Sequence, residues 1–92
     1  MKILIDKSAM TENLYTFLRK CGYAPYFDSY TKVLLGSGYP RFHLYVQESD
    51  AQYILNLHLD QKRPSYGKET AHSGEYEGDV VEEEARRIRT MR

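Results

Sequence analysis

Arg41-Phe42-His43-Leu44-Tyr45-Val46-Gln47 and Gln52-Tyr53-Ile54-Leu55-Asn56-Leu57-His58-Leu59-Asp60 are two alternating runs joined by the polar link Glu48-Ser49-Asp50-Ala51. Side chains of a strand alternate between its two sides, so Phe42, Leu44 and Val46 fall together, as do Tyr53, Leu55, Leu57 and Leu59. A link of this length and polarity fits an antiparallel hairpin. Setting Gln47 against Gln52 places Leu44 opposite Leu55 and Phe42 opposite Leu57, which gathers the apolar residues on one face. The other face then carries Arg41 opposite His58, His43 opposite Asn56, and Tyr45 beside Ile54.

Working upstream, Tyr30-Thr31-Lys32-Val33-Leu34-Leu35 has strand composition, and Gly36-Ser37-Gly38 with Pro40 punctuates it as a turn. Pro25 and the stretch from Tyr23 to Ser29 form a connection. Met10, Leu14, Phe17, Leu18 and Cys21 recur on one helical face, with Ser8 placed to cap the helix and Gly22 to end it. Lys2 to Asp6 is a short edge strand. Downstream, the chain runs from Gln61 to Gly78 without periodicity, a long loop for a compact domain. Asp79 can cap a last helix, with Glu82 completing a capping box and Val81, Ala85 and Ile88 forming its apolar stripe. Glu82 and Arg86, and Glu83 and Arg87, stand at ion-pair spacing, and Glu82-Glu83-Glu84 reads as a solvated first turn. The expected fold is α+β in the order (β)-α-β-β-β-α: an antiparallel three-stranded meander from Tyr30 to Asp60, extended at most by Lys2 to Asp6, with two helices on its apolar face.

The chain of 92 residues has material for one core, so residues 1–92 are read as a single small domain. Thirteen basic and thirteen acidic residues cancel, which removes the overall cationic field of nonspecific nucleic-acid binders and leaves local patches as the place to look. No apolar run approaches the roughly 20 residues of a membrane helix, and Ile3-Leu4-Ile5 before Asp6 is too short for a secretory leader. A cytoplasmic protein with no membrane partner is expected. Cys21 is the lone cysteine and lies on the apolar stripe, where a small core residue is the simpler reading than a nucleophile. Nine tyrosines without a tryptophan point to aromatic rims facing solvent or a partner.

Side chains able to carry chemistry crowd the segment from Asn56 to Gly78. His43 and His58 fall diagonally on the polar sheet face, and Asp60 shares the side of His58, where it can orient that ring. Histidines on a solvated sheet face need no function at all. Three functional readings compete with that one. The first is RNA binding or acid/base RNA cleavage without a cofactor, in which His43, His58 and His72 with Asp60 move protons, Arg41, Lys62 and Arg63 meet phosphate, and Tyr45, Tyr66 and Tyr76 stack on bases. The second is a zinc-type site of His58, Asp60, His72 and Glu75, a set matching no recognised zinc spacing. The third is a non-enzymatic interaction module that meets a protein partner through its tyrosines. Ser65 and Ser73 lack the strained elbow that activates a nucleophilic serine, and Gly36-x-Gly38 is too short to cradle phosphate.

Leu18-Arg19-Lys20-Cys21-Gly22-Tyr23 closing the first helix, and Gly36-Ser37 ahead of the strand Phe42-His43-Leu44-Tyr45-Val46, resemble the small HicA-type mRNA interferases. The resemblance covers roughly residues 10–59. It implies a double-stranded-RNA-binding-domain-like fold, RNA as substrate and a catalytic role for His43.

Overall fold

The computed structural model describes residues 1–34, 36, 38–61, the backbone of 74 and 75, and 78–91. Their order is β1 (Lys2–Asp6), a single 3-10 turn (Lys7–Ala9), α1 (Leu14–Lys20), β2 (Ala24–Tyr26), β3 (Ser29–Val33), β4 (Arg41–Glu48), β5 (Gln52–Asp60), β6 (Gly74–Glu75) and α2 (Asp79–Thr90). The α+β class and the antiparallel meander β3-β4-β5 stand as expected. The sheet is larger than expected: it runs β1-β5-β4-β3-β2, and β6 pairs with the end of β5 beyond β1. No helix among the described residues is long and apolar enough to cross a membrane.

The β4–β5 register differs from the sequence expectation by two residues. Arg41 faces Asp60, His43 faces His58 and Leu44 faces Leu57. The cause is in the turn: the Ser49 N–H donates to the Gln52 carbonyl at 2.8 Å, and the Ser49 hydroxyl accepts the Gln52 N–H at 3.1 Å. Ser49 and Gln52 thus close the ladder, and Asp50-Ala51 alone forms the loop tip. A two-residue shift preserves the faces while changing every partner.

β2 replaces the expected connection between Tyr23 and Ser29. Pro25 sits within it, which the sheet tolerates because β2 is an outer strand. Helix α1 begins later than Ser8 suggests: Ser8 lies in the 3-10 turn, and Asn13 is the cap, its Oδ1 accepting the Thr16 N–H at 2.8 Å. Its end follows the glycine signal. Gly22 has φ of 101°, its N–H reaches Arg19 O at 3.0 Å, and Tyr23 N–H reaches Leu18 O at 2.9 Å.

Both helices cover one face of the sheet. Phe17, Leu18 and Cys21 of α1 and its cap, and Val81, Ala85 and Ile88 of α2, join Ile3, Ile5, Phe42, Leu44, Leu55, Leu57 and Leu59 in one core. Glu84 is buried with them, so the acidic run is not simply a solvated turn. Its carboxylate accepts the Tyr23 hydroxyl at 2.7 Å and Arg87 Nε and Nη2 at 2.9 and 2.8 Å, while Arg87 Nη2 also donates to Cys21 O at 2.6 Å. Arg87, expected opposite Glu83, is therefore spent on docking α2 to the end of α1. Asp79 is the first residue of α2 rather than its cap; Gly78 holds the cap position without a side-chain hydrogen bond.

Burial pushes the Glu84 carboxyl upward, but hydrogen bonds from Arg87 and Tyr23, with Lys32 nearby, outweigh it and hold the group below its ordinary value of 4.5. A depressed carboxyl stabilises the fold above its ordinary value and loses that contribution as pH falls through the folded one. Tyr23→Phe should cost about 1 to 2 kcal/mol at neutral pH by urea unfolding. In Glu84→Gln the acid-dependent part of the unfolding free energy should flatten, and a slope equal to wild type there would show that Glu84 is not the group responsible.

Candidate functional site

Strand alternation sends Arg41, His43 and Tyr45 of β4, Asn56, His58 and Asp60 of β5, Ser29 and Thr31 of β3, and Tyr26 of β2 to the face that the helices leave open. His43 lies at its centre and is 8% exposed. Its Nε2 stands 2.8 Å from the Ser29 hydroxyl and its Nδ1 3.1 Å from Asp60 Oδ2. An ionised carboxylate only accepts, so His43 donates to Asp60 from Nδ1, while Nε2 lies within hydrogen-bond distance of Ser29 Oγ. Ser29 Oγ also reaches Tyr26 O at 2.9 Å, which ties β2 to this network.

Asp60 accepts from Arg41 Nε at 3.2 Å as well. The expectation that Asp60 orients His58 changes accordingly: with Arg41 directly opposite, Asp60 reaches the diagonal ring, His43. The guanidinium of Arg41 lies 4.9 Å from the Tyr26 ring centre and 4.7 Å from that of Tyr39. Arg41, His43 and Asp60 thus form one polar knot, walled by aromatic rings.

Those rings form a continuous row. Phe27 meets Tyr26 edge to face at 4.8 Å, Tyr26 meets His43 likewise at 5.9 Å, His43 stacks on Tyr45 at 4.4 Å with planes 18° apart, and Tyr45 meets His58 at 5.3 Å. Perpendicular and offset contacts at such distances are the favourable aromatic geometries, each worth about 0.5–1.5 kcal/mol beyond burial. The row crosses from the tip of the β2–β3 hairpin to β5. Tyr26 and Tyr45 remain open to solvent, and Phe27 is 91% exposed.

His43, His58, Asp60, Arg41 and Tyr45 are brought together, as the strand reading expected. His72, Lys62, Arg63, Tyr66 and Tyr76 lie outside the described residues, as does the side chain of Glu75. Half of the expected zinc-type set is thus outside them. Among the described residues, no three His, Cys, Asp or Glu side chains are grouped to hold a metal ion. Sequence reasoning passed over Ser29, Tyr26, Phe27 and Tyr39. The available signal was Tyr26-Phe27-Asp28-Ser29, a short aromatic and polar link between two β-compatible segments, hidden by Pro25.

Burial, with the Met1 ammonium as a second influence, pushes the His58 imidazole below its ordinary value of 6.5, and Asp60 offsets this only in part. The unfolded ring therefore binds a proton at higher pH than the folded one, and stability should fall as pH drops below about 6.5. His58→Asn should remove this portion of the slope in urea unfolding followed from neutral to mildly acid pH. An unchanged slope would assign the titration to another group.

Comparison with protein-family models, with curated proteins and with solved structures finds no match to this chain, so the function is argued from its own residues.

Proposed function

We propose that this protein binds single-stranded RNA across the helix-free face of its sheet. The observation that carries the reading is the unbroken row of five rings from Phe27 through Tyr26, His43 and Tyr45 to His58. An antiparallel sheet presenting exposed aromatic side chains offers unpaired bases a surface to stack on, at about 1–3 kcal/mol per base. Asn56 and His58, beside Tyr45 on β5, add an amide and an imidazole suited to base edges and 2′-hydroxyls. Arg41 and Lys2 lie on the same face as the cations for phosphate.

Binding is favoured over cleavage because both nitrogens of His43 are engaged within the protein. Acid/base cleavage needs one group to take the 2′-hydroxyl proton and another to protonate the leaving oxygen. Among the described residues, that leaves His58 for one of the two roles. The RNA expectation raised by the HicA-type resemblance is kept in this form, without turnover. His43 serves to hold the rings in line.

Fluorescence anisotropy with a labelled single-stranded RNA tests the reading. Saturable binding is expected, weakened for a fully paired duplex, whose bases are hidden. Tyr45→Ala should weaken it about tenfold through loss of one stacking platform. With Arg41 and Lys2 as the cations of the face among the described residues, log K against log salt should have a shallow slope, about −1 to −2 at roughly 0.7 per neutralised phosphate. Equal affinity for duplex and single strand, or no binding to either, would overturn the reading, the latter in favour of a protein partner for the same rings.

A further inference from the structure

We infer that Phe27 is a wedge that inserts between neighbouring unpaired bases of the bound strand; the inference rests on the single-stranded RNA reading above. Tyr26 and Ser29 are paired across β2 and β3, so the hairpin loop is the two residues Phe27-Asp28. Loops this tight require a backbone with positive φ, a position that glycine, asparagine or aspartate normally fills. Here Phe27 fills it, with φ of 55°. A bulky residue in that region is strained, and such strain persists where the surroundings hold it in place.

The surroundings do hold it. Ser29 Oγ donates to Tyr26 O at 2.9 Å and lies 2.8 Å from His43 Nε2, which fastens the closing pair of the hairpin to the central strand. The ring of Phe27 gains little from the fold in exchange, because it is 91% exposed. Its contact with Tyr26 is nearly perpendicular, at 81°, which orients the Phe27 plane while leaving most of its surface to solvent. An apolar ring with no core to fill, set at the end of a row of stacking rings, is placed to enter the gap between two bases. Arg41, packed on Tyr26, stands where the adjoining phosphate would pass.

An unpaired base is therefore the occupant the position fits, more than a duplex step, since the exposed ring ends a row of rings on an open sheet face. Bases in single strands and loops are already partly unstacked, so insertion there costs less than prising open a paired step.

The chain contains no tryptophan, which makes a direct test possible. Phe27→Trp places the only indole of the protein at the hairpin tip. Titration with a single-stranded RNA oligonucleotide should quench its emission in a saturable manner, at the concentrations where anisotropy reports binding. A duplex of the same sequence should leave it bright. Phe27→Gly removes the ring at a backbone angle that glycine adopts freely, so the hairpin should survive with an unfolding midpoint no lower than wild type. Its affinity for single-stranded RNA should nevertheless drop about tenfold or more. Binding that leaves the Phe27→Trp emission unchanged, or wild-type affinity in Phe27→Gly, would overturn the wedge while leaving the sheet face as an RNA-binding surface. Absence of binding by the wild-type protein would overturn both.

Discussion

The pairing of β4 with β5 is the constraint on which everything else depends. Each of these strands contributes alternately to the core and to the polar face, so one ladder fixes both at once. Phe42, Leu44, Leu55, Leu57 and Leu59 anchor it from the helix side. At about 1.5–3 kcal/mol for burying each large apolar side chain, a slip of one residue is prohibited by the core alone. A slip of two is not, because it returns every leucine to the same face. That choice falls to local polar contacts: the Ser49–Gln52 closure at the turn, and Asp60 joined to Arg41 and His43 at the far end. The candidate site is thus part of what selects the register, and the register is what assembles the site.

This division explains what could be read from the chain. Alternation in residues 41–47 and 52–60 gave away the faces, because burial is a property of period. The partners were not legible, because they depend on whether Ser49 belongs to the loop or to the ladder, a matter of two hydrogen bonds. Pro25 concealed β2 for a related reason: proline opposes a central strand but is admitted at an edge, and a sequence does not announce which strand will be the edge. Asn13 outcompeted Ser8 as cap because Met10 adopts an extended backbone after the 3-10 turn, which delays the helix. Glu84 was misleading since its partners, Tyr23 and Arg87, convert an acidic residue into a buried one only after α2 has docked.

Two buried polar groups, one on each side of the sheet, show the same physics. Glu84 beneath the helices and His43 on the open face would each be costly if left unpaired, and each is held by partners from other elements. Among the described residues, no buried side-chain nitrogen or oxygen lacks a hydrogen-bond partner. Such networks reward one arrangement over its near neighbours, since a shifted element strands a donor or acceptor as well as moving a methyl group. Glu84 does this for the placement of α2 against α1, and His43 for the placement of the β2–β3 hairpin against β4.

The internal pairing of charge also shapes what the open face can recognise. Arg41 is paired with Asp60 at 3.2 Å, and the chain as a whole carries no net charge. Long-range attraction for a polyanion is therefore weak, and whatever binds must be held by short-range contact with the rings. Stacking is tolerant of base identity but demands that the base be exposed, so discrimination falls on the state of the strand before its sequence. Under the proposed RNA-binding reading, a ring-lined face of this kind would select unpaired over paired nucleic acid for the same reason that it would bind without a strong electrostatic component: the paired form hides the base faces on which the rings would stack.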